Sequence, residues 1–407
     1  MSKSKSKPKA SVKVPEKKIA YIPEKRSKKR DIIVLLIALL QFVGVFICAN
    51  APFEKENIGS QNFYVEYERA IVREVLEENV DIDTEIENIH RGTQALLVEI
   101  MSGQYKGGYA EVLNYMGALY DTYAKVGTRM TLSIRTSVDE EPSFAVYDYD
   151  RSTMIYVVIA AFVLVTVLVG GKIGVKSLFS LLLSLVCIIW ILIPLLMKGF
   201  PTIITIWLIC VFITVFTFVL IDGISRKTIP AILGTISGVL IATLFALAAG
   251  ALSHIDGLKL AEIEPLYQAR FQGTPVQLRG LFAGGVIIAA LGAVMSATIR
   301  ISSAMTELVI VNPSLSRKEL MRRGMNIGRD TIGTMLNTLI LAFVGSGFTM
   351  MMVLWSYDIP YQQLLASPYL SLELIHGVAG SVGVILAVPL TAWFSSMMLR
   401  REVKAGG

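Results

Sequence analysis

TIITIWLICVFITVFTFVLI, residues Thr202–Ile221, contains twenty consecutive residues without a single charge. A helix needs about 20 apolar residues to cross the hydrocarbon core of a bilayer, so this run alone places the chain in a membrane. Seven further runs read the same way: Ile32–Ala49, Met154–Val169, Ser177–Met197, Ile229–Leu252, Leu281–Ile299, Thr334–Trp355 and Leu374–Leu399. Hydrophobic residues make up 54% of the 407-residue chain. The expectation is a polytopic α-helical membrane protein with about eight transmembrane helices.

Charge gives the orientation. The first thirty residues carry twelve Lys and Arg, opposed only by Glu16 and Glu24. Basic residues return after every second span, at Lys172 and Lys176, Arg226 and Lys227, Arg317 to Arg329, and Arg400 to Lys404. The segment Ser356–Glu373 has neither Lys nor Arg. By the positive-inside rule both termini are cytoplasmic. The net charge of +6 then reflects topology and attraction to anionic lipid. Basic residues beside a first span need no nucleic acid to explain them.

The expected organisation is a disordered basic tail over 1–31 and a first span over 32–49. An extracytoplasmic domain follows over 53–150, then a seven-helix region over 152–399 and a cytoplasmic tail over 400–407. Ala49-Asn50-Ala51 has the small-x-small form of a signal cleavage site, but Pro52 follows directly and the basic segment is long, so the first span reads as an uncleaved anchor. The compartment expected is the bacterial cytoplasmic membrane.

Residues 53–150 form the one sizeable soluble segment. Met130, Leu132 and Ile134 alternate with Arg129, Thr131, Ser133 and Arg135, the period of a half-buried strand. Ala95–Met101, Arg69–Leu76 and the surroundings of Phe144 and Val146 read as further strands, and Ser102–Gly108 as a turn. A small β-rich, barrel-like domain fits best, with a helical reading of Tyr64–Asn79 as the competitor. Aromatic residues here read as core and strand-pair residues, with ligand binding as the alternative.

Little in the chain points to catalysis. Cys48, Cys187 and Cys210 lie in apolar runs without metal spacing, and His90, His254 and His376 form no recognisable metal set. HExxH, GxGD and Walker A motifs are absent, no nucleophile pairs with a base by spacing, and no cofactor is implied.

Polar groups enter the membrane in one region. Gly285, Ala289, Ala293 and Ala297 recur every fourth residue and permit close helix approach, as does Gly234-x-x-x-Gly238. A different face of the same helix carries Ser296, Arg300, Ser303 and Glu307. The helix stops at Asn312-Pro313, and Ser316 with Glu319 opens the next one as a capping box. Asp330, Thr334, Asn337 and Thr338 then share one helical face as the chain re-enters the membrane. An unpartnered amide at the depth of Asn337 costs free energy. Ser296, Glu307, Asp330, Thr334, Asn337 and Thr338 therefore form a candidate polar pathway, against the alternative of an interfacial Arg329–Asp330 anchor with interhelical hydrogen bonds.

The block Gly324-Met325-Asn326-Ile327-Gly328-Arg329-Asp330-Thr331-Ile332-Gly333-Thr334-Met335-Leu336-Asn337-Thr338-Leu339-Ile340 resembles the signature of the YibE/F-like family. Gly292–Met295, Arg226–Thr228 and Ala387–Ala392 are similar to other blocks of it. The resemblance implies a bacterial multi-pass protein with an extracytoplasmic domain after its first span, and no particular activity. Ser296 stands where the family usually has an acid, and Arg300 where a small polar residue is usual, so an acid-pair relay does not carry over. The leading expectation is a transporter or permease. Its rival is a non-transporting sensor or envelope assembly factor acting through the outer domain. The partners expected are the lipid bilayer and either a small solute or an envelope protein.

Overall fold

The computed structural model describes residues 43–47, 49–50, 63–84, 88–137, 141–255 and 263–399. The tails 1–31 and 400–407, and most of the first apolar run, lie outside the described residues. The chain divides into two compact units, Glu56–Gly174 and Met1–Lys55 with Val175–Gly407.

The first unit contains a five-stranded antiparallel sheet: β1 Phe63–Asp83, β2 Ile89–Ile100, β3 Tyr109–Met116, β4 Arg129–Ser137 and β5 Ser143–Tyr149. Their order is β3-β2-β1-β4-β5. Residues Tyr64–Asn79 belong to β1, so the competing helical reading is replaced by a strand. Its first half pairs with β4, from Phe63↔Ser137 to Ile71↔Arg129, and its second half with β2, from Ala70↔Ile100 to Asp83↔Ile89. Register shifts between Val72 and Glu74 and between Val75 and Glu77 mark bulges, which bend a strand and sharpen its twist. The bend lets one face of the sheet bury itself: Val72, Leu96, Val98, Met130, Leu132 and Ile134 are all 0% exposed. Gly103 and Gly107 turn the β2–β3 connection at φ 75 and 85, a region that favours glycine. Among the described residues no ladder joins β3 to β5, so the structure carries a curled sheet with two edges.

The β3–β4 connection is held from inside. Gln94 and Asn114 are buried and both bond its backbone. The Asn114 amide donates to the Thr122 carbonyl at 2.8 Å, and the Thr122 hydroxyl donates back to Asn114 Oδ1 at 2.8 Å. The Ala124 N–H donates to Gln94 Oε1 at 2.9 Å, and Gln94 Nε2 donates to the Ala124 carbonyl at 3.0 Å. Buried polar groups satisfied in this reciprocal way fix a loop that has few apolar contacts of its own.

The helices are α1 Ser152–Val186, a π-helical turn Cys187–Leu192, α2 Ile193–Met197, α3 Thr202–Asp222, α4 Thr228–Leu252, α5 Glu264–Phe271, α6 Leu281–Val311, α7 Arg317–Ser346, α8 Phe348–Ser356, α9 Tyr361–Leu365 and α10 Pro368–Leu399. Among the described residues, five helical stretches are long and apolar enough to cross a membrane. Two expected spans, Met154–Val169 and Ser177–Met197, lie within a single 46-residue stretch that is broken at Gly171 (φ 51, ψ −134). The seventh expected span is α7 and α8, which qualify only together and are bent by 57°.

Local chemistry explains the joints. Pro194 has no N–H to give the carbonyl one turn back. That carbonyl, of Trp190, accepts from Asn50 Nδ2 at 2.8 Å instead. Lys176 donates to the Leu220 and Ile221 carbonyls at 3.0 and 3.3 Å, closing the end of α3. At the centre, α4 and α10 cross backbone to backbone. A Cβ on Gly238 would lie 2.6 Å from the Ala387 Cβ, and one on Gly383 would lie 2.8 Å from the Ala242 Cβ.

Asn114→Leu should lower the opening free energy of the β3–β4 connection by about 1–3 kcal/mol, the cost of stranding buried polar partners. Amide hydrogen exchange at Ala124, compared with Leu132 in the core, measures it.

Candidate functional site

The candidate site is built on α6 and α7. α6 is 31 residues long, on the order of 46 Å at 1.5 Å per residue, which exceeds the hydrocarbon thickness of about 30 Å. It ends at Asn312, whose Oδ1 accepts from the Ser314 N–H and hydroxyl at 3.1 and 2.6 Å. Ser316 then caps α7, accepting from the Glu319 N–H at 3.2 Å. Arg323 and Glu319 pair across one turn at 2.9 Å. The basic segment and the polar segment expected to re-enter the membrane are thus one continuous helix.

Two glycines set the rotation of that helix. A Cβ on Gly324 would lie 2.5 Å from Met305 Sδ of α6, and one on Gly328 would lie 2.2 Å from Val388 Cγ1 of α10. Leu320, Thr331 and Leu339 are buried on the same side. Asp330, Gly333, Thr334, Asn337 and Thr338 are consequently exposed, and a Cβ on Gly333 would meet nothing within 4 Å. Thr334 and Thr338 satisfy their hydroxyls on their own helix, at the Thr331 and Thr334 carbonyls. Asn337 is different, because its amide has no hydrogen-bond partner among the described residues.

On α6, Ser296 is half-buried and donates to the Gly292 carbonyl at 2.9 Å. Arg300 and Glu307 are exposed. Met295 and Met335 pack against one apolar cluster, so α6 and α7 come together at the level of Ser296. No hydrogen bond links Ser296 or Glu307 to the α7 set among the described residues. Of the small residues singled out for packing, Ala297 is buried, Ala293 is half-buried, and Gly285 and Ala289 are exposed. Gly234 faces Thr391 of α10.

Two polar groupings escaped the sequence reading. The first is a hydroxyl cluster where α4 begins and α6 and α10 end. Thr235 and Thr298 share a hydrogen bond at 2.7 Å. Ser302 donates to the Lys227 carbonyl at 2.5 Å and accepts from Ser395 at 3.4 Å. All four side chains are 0% exposed. Each hydroxyl has a partner, so the cluster is closed and joins helices without needing water. Its signal was present as the four-residue spacing of Thr298 and Ser302 and of Thr391 and Ser395.

The second grouping lies at the other end of the bundle. The His376 ring of α10 stacks between Phe282 of α6 and Phe343 of α7, with centroids 4.9 and 5.9 Å away. Gly285 leaves it room: a Cβ there would lie 3.4 Å from His376 Nε2. Glu373, one turn earlier, has a buried Oε2 without a hydrogen-bond partner. Nearby, His254, Arg279 and Phe282 line a cavity of about 420 Å³. No group of three or more metal-ligating side chains occurs among the described residues.

Gly328→Ala should destabilise the protein by about 1–3 kcal/mol through overpacking against Val388, whereas Gly333→Ala on the open face should be neutral or slightly stabilising. Thermal unfolding of both variants in detergent checks the assigned rotation of α7.

The sequence model of the family described as YibE/F-like protein matches residues 158–401, from α1 to just past α10. No curated protein and no solved structure matches the chain. The family match covers more than half of the chain, including both helices of the candidate site, and the chain therefore belongs to the YibE/F-like protein family.

Proposed function

We propose that this chain is a transporter of the bacterial cytoplasmic membrane, with eight spans, cytoplasmic termini and an extracytoplasmic sheet domain that closes into a barrel at the β3–β5 seam. The observation that carries the transport reading is the exposed polar face of α7. Asn337 stands about two turns beyond Asp330 in a helix whose neighbouring exposed residues, Ile340 and Leu341, are apolar. Hydrocarbon offers no partner to an amide, and polar side chains at membrane depth face protein or a water-filled cavity. A water-lined path along this face supplies the missing partner.

In this reading Asp330 is the charged group at the inner mouth, and Glu307 belongs to the cytoplasmic end of α6. Thr334, Asn337 and Thr338 line the path and Ser296 borders it from α6. Glu373 and His376 of α10 lie toward the far end and provide ionisable groups there. His376 stacks on Phe282, which lines the cavity together with His254 and Arg279. The orientation rests on the basic residues near Lys172, Arg226 and Arg317 and on their absence from Ser356–Glu373.

Asn337→Leu should abolish flux of the transported solute or ion, lowering it at least about tenfold in proteoliposomes, while leaving insertion and thermal stability unchanged. A correctly inserted Asn337→Leu protein with undiminished flux removes this face from the path. Absence of flux for every solute and ion offered to the folded wild-type protein removes the transport reading.

A further inference from the structure

Three tyrosines of the sheet domain, Tyr115, Tyr120 and Tyr147, serve neither its core nor the proposed path. Tyr105 and Phe144 meet edge to face, with centroids 5.6 Å apart, against the buried side of the sheet. Tyr115, Tyr120 and Tyr147 do not join them and are 70%, 68% and 59% exposed. All three line one cleft of about 520 Å³, together with Leu113, Ala145 and Asp148. Large aromatic side chains gathered and left in solvent mark a binding surface more often than a packing surface.

Two of the three positions are held in place, Tyr147 by its ring and Tyr120 by its backbone. Tyr147 stands edge-on to Tyr67 at 4.9 Å. Tyr120 closes a tight bridge with Gly117, with N–H to carbonyl distances of 3.0 and 3.2 Å. The connection carrying Tyr120 is anchored two residues later by the Asn114–Thr122 pair. At the end of the cleft, Arg151 reaches Asp148 at 2.6 Å. That guanidinium holds the Asp148 carboxyl below the usual carboxylate range. Its oxygens accept from Arg151 and from the Tyr149 N–H at 2.7 Å, and a carboxylate oxygen has a second lone pair to offer at the rim.

Charge and geometry narrow the occupant. Residues 53–150 carry nineteen Asp and Glu against eight Lys and Arg, so polyanions such as nucleic acids and phosphate polymers are repelled. A peptide added as a strand between β3 and β5 is excluded by spacing. These strands already approach within 8 Å between Cα atoms, and an intervening strand needs roughly 9.6 Å, two interstrand spacings. What remains is an open, hydroxyl-bearing aromatic floor with a carboxylate rim. Flat C–H faces stack on such rings while peripheral hydroxyls bond to phenols and carboxylate.

We propose that the Tyr115–Tyr120–Tyr147 cleft binds an uncharged oligosaccharide, its sugar rings stacked on the tyrosines and a hydroxyl donated to Asp148. The inference is independent of the transport reading, because it concerns a site in the sheet domain and is tested without flux.

The test uses the full chain in nanodiscs, since glycoside detergents would compete. Tetramers of β-1,4-linked N-acetylglucosamine and of glucose serve as neutral probes. Tetragalacturonate is the anionic probe and a tetralysine peptide the cationic one. Binding is followed by saturation-transfer NMR and titration calorimetry. At least one neutral tetramer should bind, and tetragalacturonate should not. Tyr115→Ala and Tyr147→Ala should each weaken binding by roughly threefold to tenfold, the range of one aromatic stack. Tyr115→Phe should stay within about threefold of wild type. No binding of either neutral tetramer to folded protein would overturn the proposal. So would unchanged affinity in the Tyr115→Ala/Tyr147→Ala double variant, or tighter binding of the charged probes at this cleft.

Discussion

The contact of Gly324 and Gly328 with Met305 and Val388 is the constraint on which the rest of the helical region depends. Between apolar helices in lipid there is no hydrophobic drive to associate, so packing is set by how closely backbones approach. Two glycines one turn apart make α7 lie flush on α6 and α10 in a single rotational setting. That setting turns Leu320, Thr331 and Leu339 inward. It also turns Asp330, Thr334, Asn337 and Thr338 outward, which no apolar surroundings would favour.

The bundle treats its polar groups in two ways. At the end where α4 begins, Thr235, Thr298, Ser302 and Ser395 are fully buried and mutually hydrogen-bonded. Such a network costs little and specifies which helices meet. At the other end Glu373 keeps a buried oxygen without a partner, and along α7 the Asn337 amide is unpartnered among the described residues. Stability alone removes groups of the second kind, as their desolvation is uncompensated. Their presence beside a closed network in the same bundle is the ground for proposing a functional role for the polar face of α7.

Much of this was legible from residues alone, for identifiable reasons. The apolar helices were visible because charge is absent over whole spans, and β4 because Met130, Leu132 and Ile134 keep strict alternation. β1 was ambiguous because its bulges at Val72–Glu74 and Val75–Glu77 interrupt the period of two and leave a pattern a helix also satisfies. The break at Gly171 and the bend after Ser346 depend on backbone angles that composition does not encode. Asp330, Thr334, Asn337 and Thr338 share an exposed face of α7, as their spacing requires of any helix. Which way the face points was not legible, because α7 carries glycines on both sides and only the partner helices decide which are covered. The surroundings of His376 were not legible either, because Phe282 and Phe343, which stack on it, are distant in sequence.

Water access to the outward face of α7 is the central claim, and cysteine accessibility tests it most directly. In a background with Cys48, Cys187 and Cys210 replaced, single cysteines at positions 330, 334, 337 and 341 would be exposed to a membrane-impermeant thiol reagent in native membranes. The account predicts labelling at 330, 334 and 337 and protection at 341, whose leucine is exposed but apolar. Protection at 334 and 337, with 330 alone labelled, would contradict it and make Asp330 an interfacial anchor above a face covered by protein or lipid.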